Sequence, residues 1–293
     1  MKVALYAQQI QAEDIPWVIE ILEELDQQKA VVYMDRDFFQ QVQRETFIRN
    51  IPTFTIDQGL DSSFDLFVSF GGDGTMLRAV TYVRQYRIPM VGVNTGRLGF
   101  LSTFKREEVR DLVKGFKAGT YKVGDRSLIA LAPGQLDGAF GDLEFALNEI
   151  TVSRKDTTSM ITVETYLDGE FLTSYWADGL IIATPTGSTG YSLSCGGPVI
   201  APSARSFVLT PIAPHNLNAR PLVISDDTEI RIRVMGREDY HLVSLDSRIV
   251  TVPNGQELVI RKADFSLPML EYQSGSFFNT LRSKLLWGQD QRN

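Results

Sequence analysis

The chain has 293 residues, of which 43% are hydrophobic and 22% charged, and its 36 acidic and 29 basic residues leave a formal net charge of −7. That acidic balance argues against a nucleic-acid polyanion as the main partner, no apolar run reaches the length of a membrane span, and the length suffices for a large core and two domains. A single cysteine, Cys195, excludes an internal disulfide, and with only two histidines, His215 and His241, a Cys/His metal centre is not expected.

The N-terminal run Met1-Lys2-Val3-Ala4-Leu5-Tyr6 reads as a strand rather than a leader, since Glu13 and Asp14 follow and no cleavage pattern is present; a cytoplasmic protein is expected. Ile15, Val18, Ile19, Leu22 and Leu25 recur at helical spacing and predict a helix near 14–28, with Asp14 and Pro16 marking its start. A strand at 30–34 and a helix over 37–48 follow. The apolar run Leu66, Phe67, Val68 and Phe70 then predicts a strand at 65–70, covered on both faces. It leads into Gly71-Gly72-Asp73-Gly74-Thr75, and Met76, Leu77, Ala79, Val80 and Val83 continue as a helix. Glycines in such a turn let backbone N–H groups approach a phosphate, and the helix N-terminus adds partial positive charge. Asp73 would repel phosphate there, so a separate task is expected of it, either as a general base or as a magnesium-associated acid. Taken alone, the turn is equally well explained as a tight strand-to-helix connection. It is neither a Walker A loop, for want of Gly-Lys-Ser/Thr, nor the dinucleotide fingerprint, whose third glycine would fall at Leu77.

A strand at 89–94 ends in a second glycine-punctuated turn, Thr95-Gly96-Arg97-Leu98-Gly99-Phe100. A helix over 107–118, with Val109, Leu112, Val113 and Phe116, stops at Gly119. Strands alternating with helices imply an open, largely parallel sheet, whose ligands sit beyond the C-terminal strand ends. After about residue 120 short β-branched runs dominate: 127–132, 145–153, 160–167, 171–176, 179–184, 206–212, 229–235, 241–245 and 257–261. Asp168-Gly169 and Asn254-Gly255 are hairpin-type turns. Apart from a short helix after Thr189, this second part is expected to be all β. Phe277, Phe278, Leu281, Leu285 and Leu286 predict a last helix that returns to the first domain, followed by a frayed tail at 288–293. The expected division is therefore 1–120, 121–270 and 271–293.

Two further stretches carry chemistry. Residues 178–198 run from Asp178 through an apolar strand into a segment dense in Thr, Ser and Gly, with Tyr191 among them. Converging hydroxyls and an aromatic ring suit a polyhydroxylated ligand such as a ribose or nucleotide, although a plain surface loop can be as polar. Asn148-Glu149 interrupts the apolar run from Phe145 to Val152. If buried, both need partners; the competing reading is an exposed edge beside a turn.

Taken together and in this order, Gly71-Gly72-Asp73-Gly74-Thr75, Asn148-Glu149 and 178–198 resemble the NAD kinases, as do Pro211-Ile212-Ala213-Pro214-His215 and Arg220-Pro221-Leu222-Val223. The first motif is shared with diacylglycerol, sphingosine and phosphofructokinase relatives; the others are more specific. The resemblance implies a Rossmann-like α/β domain, a C-terminal β-sandwich and a last helix returning to the first domain. It implies transfer of the terminal phosphoryl of ATP, with Mg²⁺, to the 2′-hydroxyl of the adenosine ribose of NAD, giving NADP. Asp73 matches the proton acceptor. Asp73, Gly74, Arg78, Asn148, Glu149, Asp178, Thr189, Gly190, Tyr191, Ser192, Leu193 and Ser194 match NAD-contacting positions, and Gly71, Gly72, Gly74 and Thr75 are assigned to the ATP phosphates. Arg78 lies one helical turn beyond Gly74 and is expected to face the same cleft. A homodimer or homotetramer is implied, with no nucleic acid and no membrane as partner.

The chain departs from the family pattern in places. Gly190 and Cys195 stand where many relatives carry alanine, and Cys195 is read as a small buried filler. Trp176 and Ala177 precede Asp178 where some relatives carry arginine or serine. Asp246-Ser247-Arg248 replaces Asp-Gly-Gln, so no ligand contact is assigned there, and both histidines are read as structural. A lipid kinase of the diacylglycerol class would place Asn-Glu soon after the glycine motif, whereas here it comes far later. A non-catalytic dinucleotide sensor would be expected to lose the acid that Asp73 retains.

Overall fold

The computed structural model describes residues 1–45, 50–136, 138–156, 159–216, 218–272 and 276–286. The chain divides into two units: residues 1–125 with 267–293, and residues 126–266.

The first unit contains β1 (Lys2–Ala7), α1 (Ile15–Gln27), β2 (Val31–Asp35), α2 (Arg36–Glu45), β3 (Thr53–Phe54), β4 (Leu66–Phe70), α3 (Asp73–Val83), β5 (Met90–Asn94), β6 (Phe104–Lys105) and α4 (Val109–Ala118). Its strands pair in parallel in the order β6-β5-β4-β1-β2-β3. Every residue of β4 and β5 is buried, as expected of central strands covered on both faces. α1 buries Ile15, Val18, Ile21 and Leu25, whereas Ile19 and Leu22 lie at the edge of its packed stripe. α4 buries Val109, Leu112 and Val113 and ends at Gly119, whose φ of 69° lets its N–H reach the carbonyls of Gly115 and Phe116. Arg110 joins α4 to α1 through Glu20 at 2.6 Å. The predicted helix over 37–48 is present to Glu45; residues 46–48, and the tail at 288–293, lie outside the described residues.

The second unit is built on β7 (Lys122–Leu131, entering from the first), β8 (Phe145–Ala146), β9 (Glu149–Arg154), β10 (Ile161–Leu167), β11 (Glu170–Ala177), β12 (Gly179–Ala183), a single turn α5 (Tyr191–Ser194), β13 (Ser206–Ile212), β14 (Leu222–Ser225), β15 (Ile230–Met235), β16 (Tyr240–Leu245), β17 (Arg248–Pro253) and β18 (Glu257–Glu271). One antiparallel sheet runs β14-β13-β12-β9-β16-β17; the other joins β11, β10, β15 and the first part of β18. Alternating side chains of both sheets, among them Ile150, Val152, Val163, Leu180, Ile182, Phe207, Ile232, Val243 and Ile260, make one core, which is a β-sandwich. The last strand residues, from Leu267, return to the first unit, where Met269 pairs with Met90 of β5; α6 (Ser276–Leu285) follows.

Several features differ from expectation, among them the two-residue strands β3 and β6 and the start of β7 at Lys122, ahead of the expected 127. The run at 145–153 is two strands, because the chain bends at Leu147 and Asn148. β14 and β17 are edge strands whose exposed Val223 and Ile249 blur the alternation that marks a strand. β18 continues ten residues past the predicted end at 261, through the polar stretch Lys262-Ala263-Asp264.

Candidate active-site residues

In the first unit, β4 ends at Gly71, whose φ of 143° and contact with Thr75 leave no room for a side chain; a Cβ would lie 2.4 Å from Thr75 Oγ1. Gly71 N–H donates to Val93 O, tying the turn to β5. α3 begins at Asp73 itself, so Asp73 and Gly74 sit in its first turn and not in the loop before it. A Cβ on Gly72, Gly74 or Gly96 would meet open space, so these glycines leave backbone accessible from outside. The Asp73 carboxylate turns to the second glycine turn: Oδ2 accepts from Phe100 N–H at 2.8 Å, and Oδ1 accepts from Leu101 and Ser102 N–H at 3.0 and 2.9 Å. Gly99 permits this approach, since a Cβ there would fall 1.8 Å from Asp73 Oδ1. Asn94, at the end of β5, shapes the same turn by accepting from Gly96 N–H at 2.7 Å and donating to Arg97 O at 2.8 Å. Arg78 is exposed on α3, with its charge near the phenols of Tyr6 and Tyr82.

In the second unit, Asn148 and Glu149 occupy the bend between β8 and β9. Asn148 Oδ1 and Glu149 Oε2 are both buried and without a partner. The exposed-edge alternative therefore fails for these atoms. Burial, reinforced by the charge of Asp246, pushes the Glu149 carboxyl up to about 8, so it is protonated at neutral pH. The Thr/Ser/Gly stretch packs on this bend. A Cβ on Gly187 would lie 2.1 Å from Asn148 O, and one on Gly190 would lie 3.3 Å from Glu149 Oε2 and 3.5 Å from Asn148 Nδ2.

The hydroxyls of that stretch do not converge as a free set. Thr184 Oγ1 donates to Leu147 O at 2.6 Å, Ser188 Oγ to Pro185 O at 2.7 Å and Thr189 Oγ1 to Thr186 O at 3.1 Å, while Ser192 Oγ and Thr210 Oγ1 bond each other at 2.8 Å. Two of these bonds close the loop on itself and two tie it to Leu147 and to β13, a need set by burial of Thr184, Ser188 and Ser192. Tyr191 and Ser194 are exposed, and Leu193 is half-buried. The Tyr191 phenol is pushed up by burial and by Cys195, Asp178 and Glu149 nearby. Asp178, between β11 and β12, pairs with Arg154 at 3.0 Å. Cys195 is half-buried rather than buried; it packs beside Ile181, Ala183, Ile200 and Val208, and burial raises its thiol. His215 lies against Trp176 with ring centroids 4.4 Å apart. His241 is buried and bonded through Nδ1 to Asn254 Oδ1 at 2.9 Å.

Asp246 is the residue that sequence reasoning passed over. Its carboxylate accepts the backbone N–H groups of Leu147, Asn148 and Glu149 at 2.9, 2.8 and 3.2 Å. The signals available were an acid at a hairpin turn, a common and unspecific pattern, and its match to the Asp of the Asp-Gly-Gln pattern, which the changed residues at 247 and 248 discounted. Among the described residues no group of three or more His, Cys, Asp or Glu side chains could hold a metal ion.

Two family descriptions match: ATP-NAD kinase N-terminal domain over residues 3–121, and ATP-NAD kinase C-terminal domain over residues 147–272. The chain is 51% identical over 296 residues to the NAD kinase of Christiangramia forsetii and 50% identical over 294 residues to that of Flavobacterium johnsoniae, with 100% of both chains covered in each case. Among solved structures, an NAD kinase from Archaeoglobus fulgidus in complex with ATP matches with a TM-score of 0.74 at 28% identity, covering 98% of this chain and 99% of that one. The yeast NADH kinase complexed with NADH shares the fold, with a TM-score of 0.86 at 24% identity over 100% of this chain and 89% of that one. Two domains matched in order, with relatives half identical from end to end, establish that the chain belongs to the NAD kinase family.

Proposed function

We propose that the chain makes NADP from NAD and ATP with Asp73 as the general base for the 2′-hydroxyl of the adenosine ribose. The observation that carries this reading is the anchoring of the Asp73 carboxylate by three amides. A carboxylate offers about four acceptor positions. Three are taken, two on Oδ1 and one on Oδ2, which leaves one on Oδ2 for an incoming hydroxyl. A ribose hydroxyl is a poor nucleophile at neutral pH, and a positioned base contributes about 10²–10⁴-fold. The proton passes to Asp73 as the ribose oxygen bonds the terminal phosphorus of ATP; the bond from that phosphorus to the bridging oxygen breaks, and ADP leaves. Backbone at Gly72 and Gly74, with the N-terminus of α3, suits the phosphates, whereas the Gly71 and Thr75 N–H groups assigned there from the sequence donate to Val93 O and Gly72 O; exposed Arg78 adds a cation one turn away.

Asn148, Glu149, Asp178 and 189–194 are assigned to NAD. The unpartnered Asn148 Oδ1 and Glu149 Oε2 support this, because a ligand can supply the bonds that the protein does not. Mg²⁺ is assigned to the nucleotide, entering as Mg·ATP with its phosphate and water ligands, since the described residues offer no cluster for a resident metal. A cytoplasmic homodimer or homotetramer, with a neighbouring subunit completing the NAD site, is part of the proposal. No helix among the described residues is long and apolar enough to cross a membrane.

The test is NADP formation by the purified chain from Mg·ATP and NAD, beside Asp73→Asn. The variant is expected to lose about 10²–10⁴-fold in kcat while NAD still binds. Retention of most turnover by Asp73→Asn would show that another group takes the proton.

A further inference from the structure

Asp246 sits at the turn from β16 to β17 with a φ of 53°, a conformation that aspartate tolerates better than most residues. Asparagine or glycine would serve a simple hairpin turn at that position. A carboxylate is there instead, and it is directed not at its own hairpin but at a segment nearly one hundred residues earlier. It accepts three successive N–H groups, from Leu147, Asn148 and Glu149, and its own N–H donates to Glu149 O at 3.0 Å. Two residues on, Arg248 donates to the carbonyls of Leu143 and Phe145. The hairpin thus grips the approach to the Asn148-Glu149 bend on both sides, through an acid for its amides and a cation for its carbonyls. Charge-assisted bonds of this kind are stronger than neutral ones and fix backbone direction.

The grip has a cost. Asn148 Oδ1 and Glu149 Oε2 are held buried without partners, an arrangement that protein stability alone does not favour. Such a frozen pair of unsatisfied groups is what a preorganised ligand contact looks like before the ligand arrives. We propose that Asp246 is a positioning residue for the dinucleotide, holding backbone 147–149 so that the Asn148 and Glu149 side chains are kept in place for NAD. The proposal rests on the assignment of Asn148 and Glu149 to NAD made above.

Steady-state kinetics of Asp246→Asn, Asn148→Ala and the double variant test it. Asp246→Asn is expected to raise KM for NAD about tenfold, with KM for ATP and kcat within about threefold of the parent. Because both single changes act through one segment, the double variant is expected to fall clearly short of the product of the two single effects. Multiplying effects, an unmoved KM for NAD, or equal losses for both substrates would overturn the positioning role. If Asn148→Ala alone leaves KM for NAD unchanged, the contact assignment itself fails and the proposal falls with it. If Asn148→Ala raises KM and Asp246→Asn does not, only the positioning role fails. Amide hydrogen exchange on the unaltered enzyme needs no folded variant. Slow exchange at Leu147, Asn148 and Glu149 without NAD supports the proposal, and protection that arises only on adding NAD overturns it.

Discussion

Glu149 and Asp73 are two carboxyls treated in opposite ways by their surroundings. Asp73 receives three N–H donors, whereas Glu149 Oε2 receives none and lies buried near the charge of Asp246. The folded Glu149 therefore holds its proton up to about 8, while the unfolded chain releases it near 4.5. Its contribution to stability is complete below the unfolded value and disappears as pH rises through the folded one; the upper bound on that change is roughly 5 kcal/mol. Glu149→Gln, which stays neutral, is expected to melt higher than the parent at pH 9, with the difference shrinking towards pH 5. Thermal melts of both proteins across that range check the sign. A constant difference between the two would mean that Glu149 is ionised throughout.

At the scale of elements, two glycine turns at the ends of neighbouring parallel strands β4 and β5 interlock through one side chain. Gly99 is the residue that makes the interlock possible, since any side chain there collides with the Asp73 carboxylate. Gly99→Ala is expected to displace that carboxylate and lower kcat by about a hundredfold, the loss typical of misplacing a reacting group by about 1 Å. The melting temperature is expected to fall as well, because Gly99 is buried and the displaced carboxylate gives up three amide bonds. Turnover and a melt on the same preparation separate the two effects.

The strands, helices and glycine motif of this region were legible because burial on both faces writes a continuous apolar run and helices write a 3.6-residue period. The interlock was not legible. Nothing in Gly71-Gly72-Asp73-Gly74 indicates that its acid bonds to Phe100, Leu101 and Ser102, because backbone donors carry no residue signature. The same reason hid Asp246, whose three partners are amides. The Thr/Ser loop hid its structural bonds in the same way: Ser188 and Thr189 satisfy carbonyls of their own segment, and Thr184 satisfies Leu147 O.

For the whole molecule, the units differ in how the chain supplies them. The sandwich core draws on residues from Ile129 to Ile260, all within 126–266. The α/β unit is discontinuous: its hydrophobic cluster includes Leu270, and Met269 pairs with Met90 on β5. A fragment of residues 126–266 is expected to unfold cooperatively by itself. A fragment of residues 1–125 is expected to melt lower than one in which 267–293 is supplied by a linker, because it leaves the Met90 end of the β5 edge and the Leu270 site uncovered. Circular-dichroism melts of the three fragments decide this, and equal stability with and without 267–293 would contradict it.

That discontinuity has a bearing on synthesis. As the nascent chain leaves the ribosome, the segment bearing Asp73 emerges first but lacks its closing strand until more than 140 further residues have been translated. The later unit can be finished while the earlier one is still waiting, so the order of maturation runs against the order of emergence. During that interval the Met90 end of β5 is open to chaperones and to neighbouring polysomes, and the arrival of Met269 and Leu270 ends the exposure.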